Sequence, residues 1–350
     1  MYAKVEQERS GVDIRSPSAV APIRRHLLVK LCCVIFVMFW VVWFAWMCDD
    51  AFITFRTIEN WHRGLGLRWN VVERVQSYTH PLWMLSVSGL YGLTNEFYYT
   101  ALMLSFACTL VALVCLCFFT ARSGVYALIA AMILGFSRSF VDFSTSGLEN
   151  PLSHTLLAIF LTLCFRWMGH GFVSLSWGQS LVLFGLATLS VLNRMDTLLL
   201  YVPVLIGVMF YLPWRMRRTW CMLLIAVSPF LIWECFSLVY YGFLVPNTAF
   251  AKLNHGIRWD ALWIQGLHYF AYARNHDTLT LVLMLGCVFF SFVAIFWRRL
   301  RVEACVAMGV LLYLLYVVRV GGGFMAGRFF SVPLLATVFL LMRLRLEGMP

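Results

Sequence analysis

The sequence predicts an all-α protein, a polytopic bundle of transmembrane helices, and three observations carry that prediction. Hydrophobic residues make up 62% of the 350 residues, charged residues make up 12%, and the mean hydropathy is +0.82. A soluble domain typically carries about twice that share of charged residues. The apolar runs recur along nearly the whole chain and are continuous rather than alternating, which excludes a transmembrane β-barrel.

The apolar runs, taken in order, predict about ten spans. The first run, 28–47, predicts an uncleaved span, because about 30 residues precede it and it lacks an A-x-A cleavage site. Three apolar pieces leave the number of crossings between 81 and 137 open: 81–95, 98–119 and 123–137. One of them, either 81–95 or 123–137, is expected to be re-entrant or tilted. Later spans are expected near 149–167, 178–193, 197–212, 219–241, 278–297, 303–319 and 329–343.

The basic residues predict the topology. The net charge of +11 would by itself suggest a nucleic-acid partner, but the Lys and Arg residues concentrate at the ends of spans. Such flanks follow the positive-inside rule and face anionic headgroups. We therefore expect a cytoplasmic N-terminal tail (1–27), a membrane module (28–343) with its first outer loop at 48–80, and a cytoplasmic C-terminal tail (344–350).

The sequence predicts no cofactor and no structural metal site. The eleven cysteines lie mostly inside apolar runs, with no C-x-x-C pair and no His/Cys cluster at zinc spacing. Packing is their expected role. A divalent ion at the adjacent carboxylates of Asp49 and Asp50 stays open as an alternative, although a full ligand set is not evident.

The first outer loop begins with CDDAFITFR, which places Asp49 and Asp50 directly after an uncharged apolar run. Carboxylates this close to hydrocarbon are costly unless they are paired or used. A short amphipathic helix on the membrane surface is predicted over 50–63 by the spacing of its apolar positions, 51, 52, 55, 58 and 61. The two aspartates therefore either cap this helix at its N-terminus or provide a general base at the outer face.

Two further polar segments place charge at the ends of spans on the same face. Glu149, in STSGLENPL, precedes an apolar run and is either a capping acid or part of a functional site. Arg194 and Asp196, in LNRMDTLLL, fill a break between two apolar runs. A buried ion pair between them is the expected arrangement.

Basic residues on the outer face are more informative than those inside, because the positive-inside rule does not explain them. Arg56 lies in the first loop, and Lys252 follows Asn247 in YYGFLVPNTAFAK. Arg328 follows a Gly-rich stretch in RVGGGFMAGRFFSVP, a combination that suits the approach of a phosphate. Snorkelling toward the interface is the alternative role for Lys252 and Arg328.

Carboxylates and cations that converge on one face of a lipid-accessible bundle suit a polyprenyl-phosphate sugar as substrate. The acceptor hydroxyl needs a base. The departing phosphate needs cations and, as a good leaving group, no general acid. One aspartate with Lys or Arg would therefore suffice, whereas glycoside hydrolysis usually needs two carboxylates in separate roles.

Five motifs, in order between residues 49 and 334, resemble those of GT-C integral-membrane glycosyltransferases, including AftB-type terminal arabinofuranosyltransferases and TfpW-type pilin arabinosyltransferases. They are DDAFITFRTIENWHRGLGLRWNVVERVQSYTHPLW, SGLENPL, LNRMDTLLL, YYGFLVPNTAFAKL and GGGFMAGRFFSVPLL. The resemblance covers most of the chain. It implies inverting transfer of a monosaccharide, such as arabinofuranose, from a polyprenyl-phosphate donor to a cell-envelope glycan, glycolipid or pilin-like acceptor.

The same resemblance implies roles for individual residues. Asp50, or Asp49, would be the catalytic base. Lys252 and Arg328 would bind the donor phosphate, within a substrate-binding set that comprises Arg56, Glu149, Asn247, Lys252 and Arg328. A location in the bacterial plasma membrane, with the active site facing the exterior, is also implied.

The chain departs from the family pattern in several places. Gly323 stands where the family usually has aspartate, and Met195 where it has proline. Family members commonly continue into a soluble outer domain, whereas this sequence ends at Pro350. Two alternatives therefore accompany the glycosyltransferase hypothesis: a transporter or flippase of a lipid-linked sugar, and an inactive, truncated paralogue. A transporter would be expected to show internal pseudo-symmetry and charges at the membrane midplane.

Overall fold

Helices form all of the regular secondary structure in the part of the chain that the structure describes. This is a computed structural model, and it describes residues 17–244, 246, 256–298 and 301–343. Within those residues no strand is present. The prediction of an all-α protein is confirmed.

Fourteen α-helices lie within the described residues. They are α1 (Pro17–Trp43), α2 (Asp49–His62), α3 (Pro81–Thr94), α4 (Tyr98–Val114), α5 (Gly124–Phe136), α6 (Arg138–Asp142), α7 (Asn150–Met168), α8 (Trp177–Asn193), α9 (Leu198–Met209), α10 (Arg217–Tyr241), α11 (Trp259–His276), α12 (Thr278–Arg298), α13 (Arg301–Arg319) and α14 (Ser331–Arg343). A π-helical turn extends α4, and a 3₁₀ turn precedes α9.

Five of these helices are long and apolar enough to cross a membrane: α1, α4 with its π-helical turn, α7, α10 and α13. The pair α11 and α12, bent by 114° at its junction, would be a sixth if it formed one span. Four apolar helices are shorter, namely α5, α8, α9 and α14. These helices are those of a multi-pass bundle, while the number of about ten crossings stays a prediction.

The core of the bundle surrounds α7. This helix packs against α4, α8 and α14, and α9 packs against α13. Small residues allow the closest approaches, because a Cβ on Gly309 would lie 2.7 Å from the carbonyl oxygen of Leu200. Close contacts of this kind are typical of helices in membranes, where packing rather than water exclusion holds helices together.

The helix predicted over 50–63 is confirmed as α2. It is amphipathic with respect to the protein itself, since Ala51, Phe55 and Ile58 are buried while Phe52 and Trp61 are exposed. The buried face belongs to a cluster that includes Trp83 of α3 and Leu148. Contact of the exposed face with a membrane surface stays a prediction.

The structure places a helix between the spans expected at 219–241 and 278–297, where no helix was predicted. Helix α11 begins at Trp259, and its apolar residues are interrupted by Asp260, Arg274 and other polar residues, which hid the helical pattern. It packs against α13 and covers the Gly-rich turn that follows α13. The hydroxyl of Tyr269 donates to the carbonyl of Met325 in that turn, at 3.1 Å.

Candidate active site

Glu149 lies at the centre of a buried charged cluster. Its side chain contacts Arg328, whose Nη2 is 2.9 Å from Oε1 and 3.0 Å from Oε2. Nη1 of Arg194 is 3.0 Å from Oε1. The side chain makes no helix-capping hydrogen bond, although the residue stands directly before α7. The capping alternative for Glu149 is therefore wrong, and its two arginine partners explain how a carboxylate is buried there.

The charge of Glu149 is kept at neutral pH. Burial alone would raise the pKa of this carboxyl, but Arg328 and Arg194 favour the charged form and hold the pKa well below its ordinary value. Glu149 is thus a fixed anion between two cations and is not poised to exchange a proton.

The predicted ion pair between Arg194 and Asp196 is present. Nε of Arg194 is 2.7 Å from Oδ1 of Asp196, and Nη2 is 2.9 Å from Oδ2. The break between α8 and α9 makes this possible, since Arg194 has an extended backbone that leaves its side chain between the two helix ends. The guanidinium also lies over the ring of Phe329, 4.6 Å from its centroid. Arg194 therefore connects Asp196, Glu149 and the end of the Gly-rich turn.

His80 links the cluster to α2. Its Nδ1 lies 3.4 Å from Oε2 of Glu149, and its Nε2 lies 2.8 Å from Oγ1 of Thr54. Burial lowers the pKa of His80 to about 4, against the opposing effect of Glu149, so the ring is neutral at pH 7. Because a carboxylate only accepts, a neutral ring serves both neighbours when Nδ1 carries the proton and Nε2 accepts from the Thr54 hydroxyl.

The two aspartates begin α2, one turn before Thr54. Oδ1 of Asp49 accepts the backbone N–H of Asp50 at 3.0 Å, which is the expected behaviour of a residue that stabilises the first turn. The carboxylate of Asp50 is half-buried and has no hydrogen-bond or ion-pair partner among the described residues. Asp50 is thus the aspartate whose side chain is available.

The thiol of Cys48 lies within the electrostatic influence of both Asp50 and Arg328. Burial raises the pKa of the Cys48 thiol to about 11. The charge of Arg328 opposes that rise, while the charges of Asp50 and Asp49 add to it. The start of α2 therefore lies within the electrostatic influence of both the Asp50 carboxylate and the Arg328 guanidinium.

Gly147 keeps the start of α2 close to the cluster. Its φ is +76°, and a Cβ there would contact Met47 and lie 2.8 Å from Cβ of Ala51. Its carbonyl accepts the indole N–H of Trp83 at 2.9 Å. The glycine in SGLENPL therefore serves both a left-handed backbone and a close approach.

Arg328, at the end of the Gly-rich turn, has N–H groups that the described residues leave unpaired. Gly322 and Gly327 have φ values of +67° and +83°, which let the chain reverse between α13 and α14. Among the described residues, buried Nε of Arg328 has no hydrogen-bond partner, and Nη1 contacts the weak acceptor Sδ of Met325, at 3.7 Å. A buried guanidinium with unpaired N–H groups is suited to an anionic ligand oxygen.

Arg56 is not brought into this cluster, and two other predicted residues cannot be compared with it. Arg56 is exposed and lies over the ring of Trp69, 4.3 Å from its centroid. Asn247 and Lys252 lie outside the described residues. The binding roles assigned to these three residues stay predictions.

Several residues that hold the cluster in place were not predicted from the sequence. Besides His80, Asn193 donates to the Glu149 carbonyl at 2.8 Å. Asn150 donates to the Arg328 carbonyl at 3.2 Å. Asn150 directly follows Glu149, and Asn193 directly precedes Arg194, two residues that the sequence indicated. His80 directly precedes α3. A polar residue next to a motif position at a helix end is the signal that could have found them.

The chain is similar to two terminal β-(1→2)-arabinofuranosyltransferases. It is 30% identical over 335 residues to the protein of Corynebacterium glutamicum, an alignment that covers 85% of this chain and 48% of that protein. It is 28% identical over 360 residues to the protein of Mycobacterium tuberculosis, covering 89% of this chain and 54% of that protein. The chain thus spans about half the length of these relatives. No protein-family model matches the sequence, and no solved structure matches it significantly.

The names of these relatives agree with the family that the motifs resemble. Both alignments cover more than four fifths of the chain, at 85% and 89%. The predicted resemblance is therefore confirmed, and the chain is a homologue of the terminal arabinofuranosyltransferases over most of its own length and about half of theirs.

Proposed function

We propose that this chain carries the catalytic membrane module of a glycosyltransferase. It moves a pentose, arabinofuranose by its homology, from a polyprenyl-phosphate donor to a cell-envelope glycan, glycolipid or pilin-like acceptor, with inversion. The reaction takes place at the outer face of the bacterial plasma membrane and needs no cofactor or metal. The names of the relatives support the sugar, and the apolar helices support the membrane setting.

One observation carries the assignment of the chemistry. Asp50, whose carboxylate has no partner among the described residues, directly precedes Ala51, which packs against Gly147. Two positions after Gly147, Glu149 holds Arg328, a buried cation whose Nε has no partner among the described residues. Asp50 accepts the proton of the acceptor hydroxyl as that oxygen attacks the anomeric carbon of the donor. The bond from the anomeric carbon to the phosphate oxygen breaks, and Arg328 stabilises the charge that develops on the departing phosphate.

The remaining residues support these two groups. Glu149 orients Arg328 through two hydrogen bonds and is itself kept ionised by Arg194, so it is the second acidic residue of the site and not the base. Lys252 provides a second cation for the phosphate, while Arg56 and Asn247 shape the donor pocket. Asp49 stabilises the first turn of α2.

The test is transfer of radiolabelled arabinofuranose from synthetic polyprenyl-phosphoryl arabinofuranose by the purified full-length protein in nanodiscs. Asp50→Asn is expected to abolish transfer with unchanged thermal unfolding, because the amide cannot accept the proton. Asp49→Asn is expected to retain measurable transfer, since a first-turn carboxylate contributes only about 0.3–1 kcal/mol.

The control is Asp260→Asn, which removes an exposed aspartate that pairs with Arg258 on α11. It is expected to transfer at the wild-type rate. Full turnover by Asp50→Asn would contradict the assigned base, and equal turnover with a nucleotide-activated sugar would contradict the donor class. Movement of the intact lipid-linked sugar across the bilayer without transfer would instead identify a flippase.

A further inference from the structure

A small polar cavity lies beside the candidate active site and has no role in the chemistry described so far. It lies where α6, the junction of α11 with α12, and the Gly-rich turn meet, and its volume is about 100 Å³. The polar side chains in its wall are those of Arg138, Ser139, Asp142, Tyr272, His276 and Asp277.

The cavity borders the two segments that carry the proposed chemistry. The carbonyl of Asp142 accepts the indole N–H of Trp46 at 2.7 Å, and Trp46 stands four positions before Asp50. Gly327 forms another part of the wall and directly precedes Arg328. The cavity therefore borders the segment that leads into α2, and its wall includes the residue that directly precedes Arg328.

The polar groups of the cavity are arranged around two carboxylates. Oδ2 of Asp277 accepts the backbone N–H of Ser139 at 2.9 Å and its hydroxyl at 2.6 Å, while Oδ1 has no partner among the residues described. Oδ2 of Asp142 accepts from Nε of Arg138 at 3.3 Å. Burial and the nearby charge of Asp277 raise the pKa of Asp142, whereas Arg138 lowers it. The two carboxylates thus share one electrostatic environment.

An aromatic pair completes the cavity. The ring of Tyr272 is stacked on that of His276, with centroids 4.0 Å apart and planes inclined by 8°. Flat aromatic surfaces pack against apolar C–H groups, and carboxylate oxygens accept from hydroxyl groups. A ligand with hydroxyl groups on its edge and C–H groups on its face matches both the carboxylates and the aromatic rings of the cavity.

We propose that this cavity binds the terminal monosaccharide of the acceptor glycan, an uncharged sugar recognised through its hydroxyl groups. Arg138 offsets the charge of Asp142, and Asp277 leaves the wall with a net negative charge that disfavours phosphate. The donor headgroup therefore belongs with Arg328, and the neutral sugar of the acceptor belongs here. The inference rests on the proposed function for the identity of the acceptor, but not for the binding of a saccharide. A protein acceptor would instead leave the cavity without a sugar.

The test separates saccharide binding from transfer. Binding of a synthetic arabinofuranosyl trisaccharide to the purified full-length protein is measured by saturation-transfer NMR, without donor, and the acceptor KM and donor KM are measured by radiolabel transfer. Asp142→Asn and Tyr272→Ala are each expected to weaken trisaccharide binding and to raise the acceptor KM by about tenfold, with an unchanged donor KM. Tyr272→Phe keeps the ring and is expected to weaken trisaccharide binding less than Tyr272→Ala does.

Asp260→Asn is the matched control, because it changes an aspartate on α11 that does not line the cavity. Wild-type trisaccharide affinity in both Asp142→Asn and Tyr272→Ala would overturn the cavity assignment, as would absence of binding to the wild-type protein. Binding that depends on Asp142 in a protein without transfer activity would support the cavity and contradict the proposed function. A rise in the donor KM alone would overturn the assignment to the acceptor.

Discussion

A buried glutamate lies near each end of α7: Glu149 precedes the helix, and Glu303 lies on α13. The partners of the two glutamates distinguish a candidate binding site from a purely structural ion pair. Glu149 precedes α7 and binds two arginines. Glu303, near the other end, has its Oε1 2.6 Å from Nδ1 of His170 and 3.1 Å from Nε of Arg343. Both glutamates are 1% exposed, so burial alone does not distinguish them.

The two ends of α7 differ in which buried side-chain atom lacks a hydrogen-bond partner among the described residues. Arg343 divides its donors between Glu303 and the carbonyl of Gly169, at 3.0 Å, and its guanidinium lies over the ring of Phe165. The buried atom without a partner there is an acceptor, Oε2 of Glu303, whereas near Glu149 it includes a donor, Nε of Arg328. Only the second arrangement suits an anionic substrate. The same residue types therefore stabilise one end of the bundle and prepare the other end for binding.

The largest expected effect comes from Glu149→Gln. Two buried guanidiniums would lose their shared anion, which is expected to reduce the free energy of unfolding by about 3–5 kcal/mol. Misplacement of Arg328 is expected to lower transfer by about 100-fold. The measurements are thermal unfolding and radiolabel transfer per folded molecule.

Glu303→Gln is the matched variant at the other end of α7, where only one arginine loses its partner. It is expected to reduce stability but to leave transfer per folded molecule unchanged. A loss of transfer in Glu303→Gln as large as in Glu149→Gln would remove the distinction between the two ends.

Arg328→Lys is expected to have a smaller effect on transfer. Lysine keeps the charge but cannot hold both oxygens of Glu149 while offering a further N–H to phosphate. We expect kcat to fall by about 10–100-fold, which corresponds to one charge-assisted hydrogen bond. Arg343→Lys is the control and is expected to keep kcat; equal losses in both variants would argue against a phosphate role for Arg328.

His80 is expected to make stability depend on pH. Its folded pKa of about 4 lies below the ordinary value, so the unfolded chain binds the proton first as the pH falls. The stabilisation from the neutral ring is complete above about pH 6.5 and declines toward pH 4, by up to about 3 kcal/mol. His80→Gln is expected to flatten this part of the profile of unfolding midpoint against pH; identical profiles would contradict the buried neutral ring.

The smallest effect is expected for the glycines that flank α7. Gly147→Ala and Gly169→Ala each impose a positive φ on alanine, at about 1–3 kcal/mol of strain. A Cβ at Gly169 meets open space, whereas one at Gly147 contacts Met47 and Ala51. Transfer is therefore expected to fall in Gly147→Ala and to persist in Gly169→Ala, and a fall in both would show that global stability controls the activity.

The sequence was sufficient to predict the helical membrane class, α2 and the polar segments that supply the site. Apolar runs and helical spacing are local, and they report which face of a segment is buried. The ion pair between Arg194 and Asp196 was predictable for the same reason, since only two positions separate the residues. Helix α11 was not predictable from its pattern, because its polar residues are spread among apolar ones.

The pairing of Glu149 with Arg328 was decided by the tertiary structure alone. The two residues are 179 positions apart, and they meet because α7 packs against α14, the helix that follows the Gly-rich turn. His80 likewise acquires its role only from burial between Thr54 and Glu149. Local periodicity determines which segments are helices and which residues end them, whereas charges at helix ends become a site only when packing removes them from water and leaves them one another as partners.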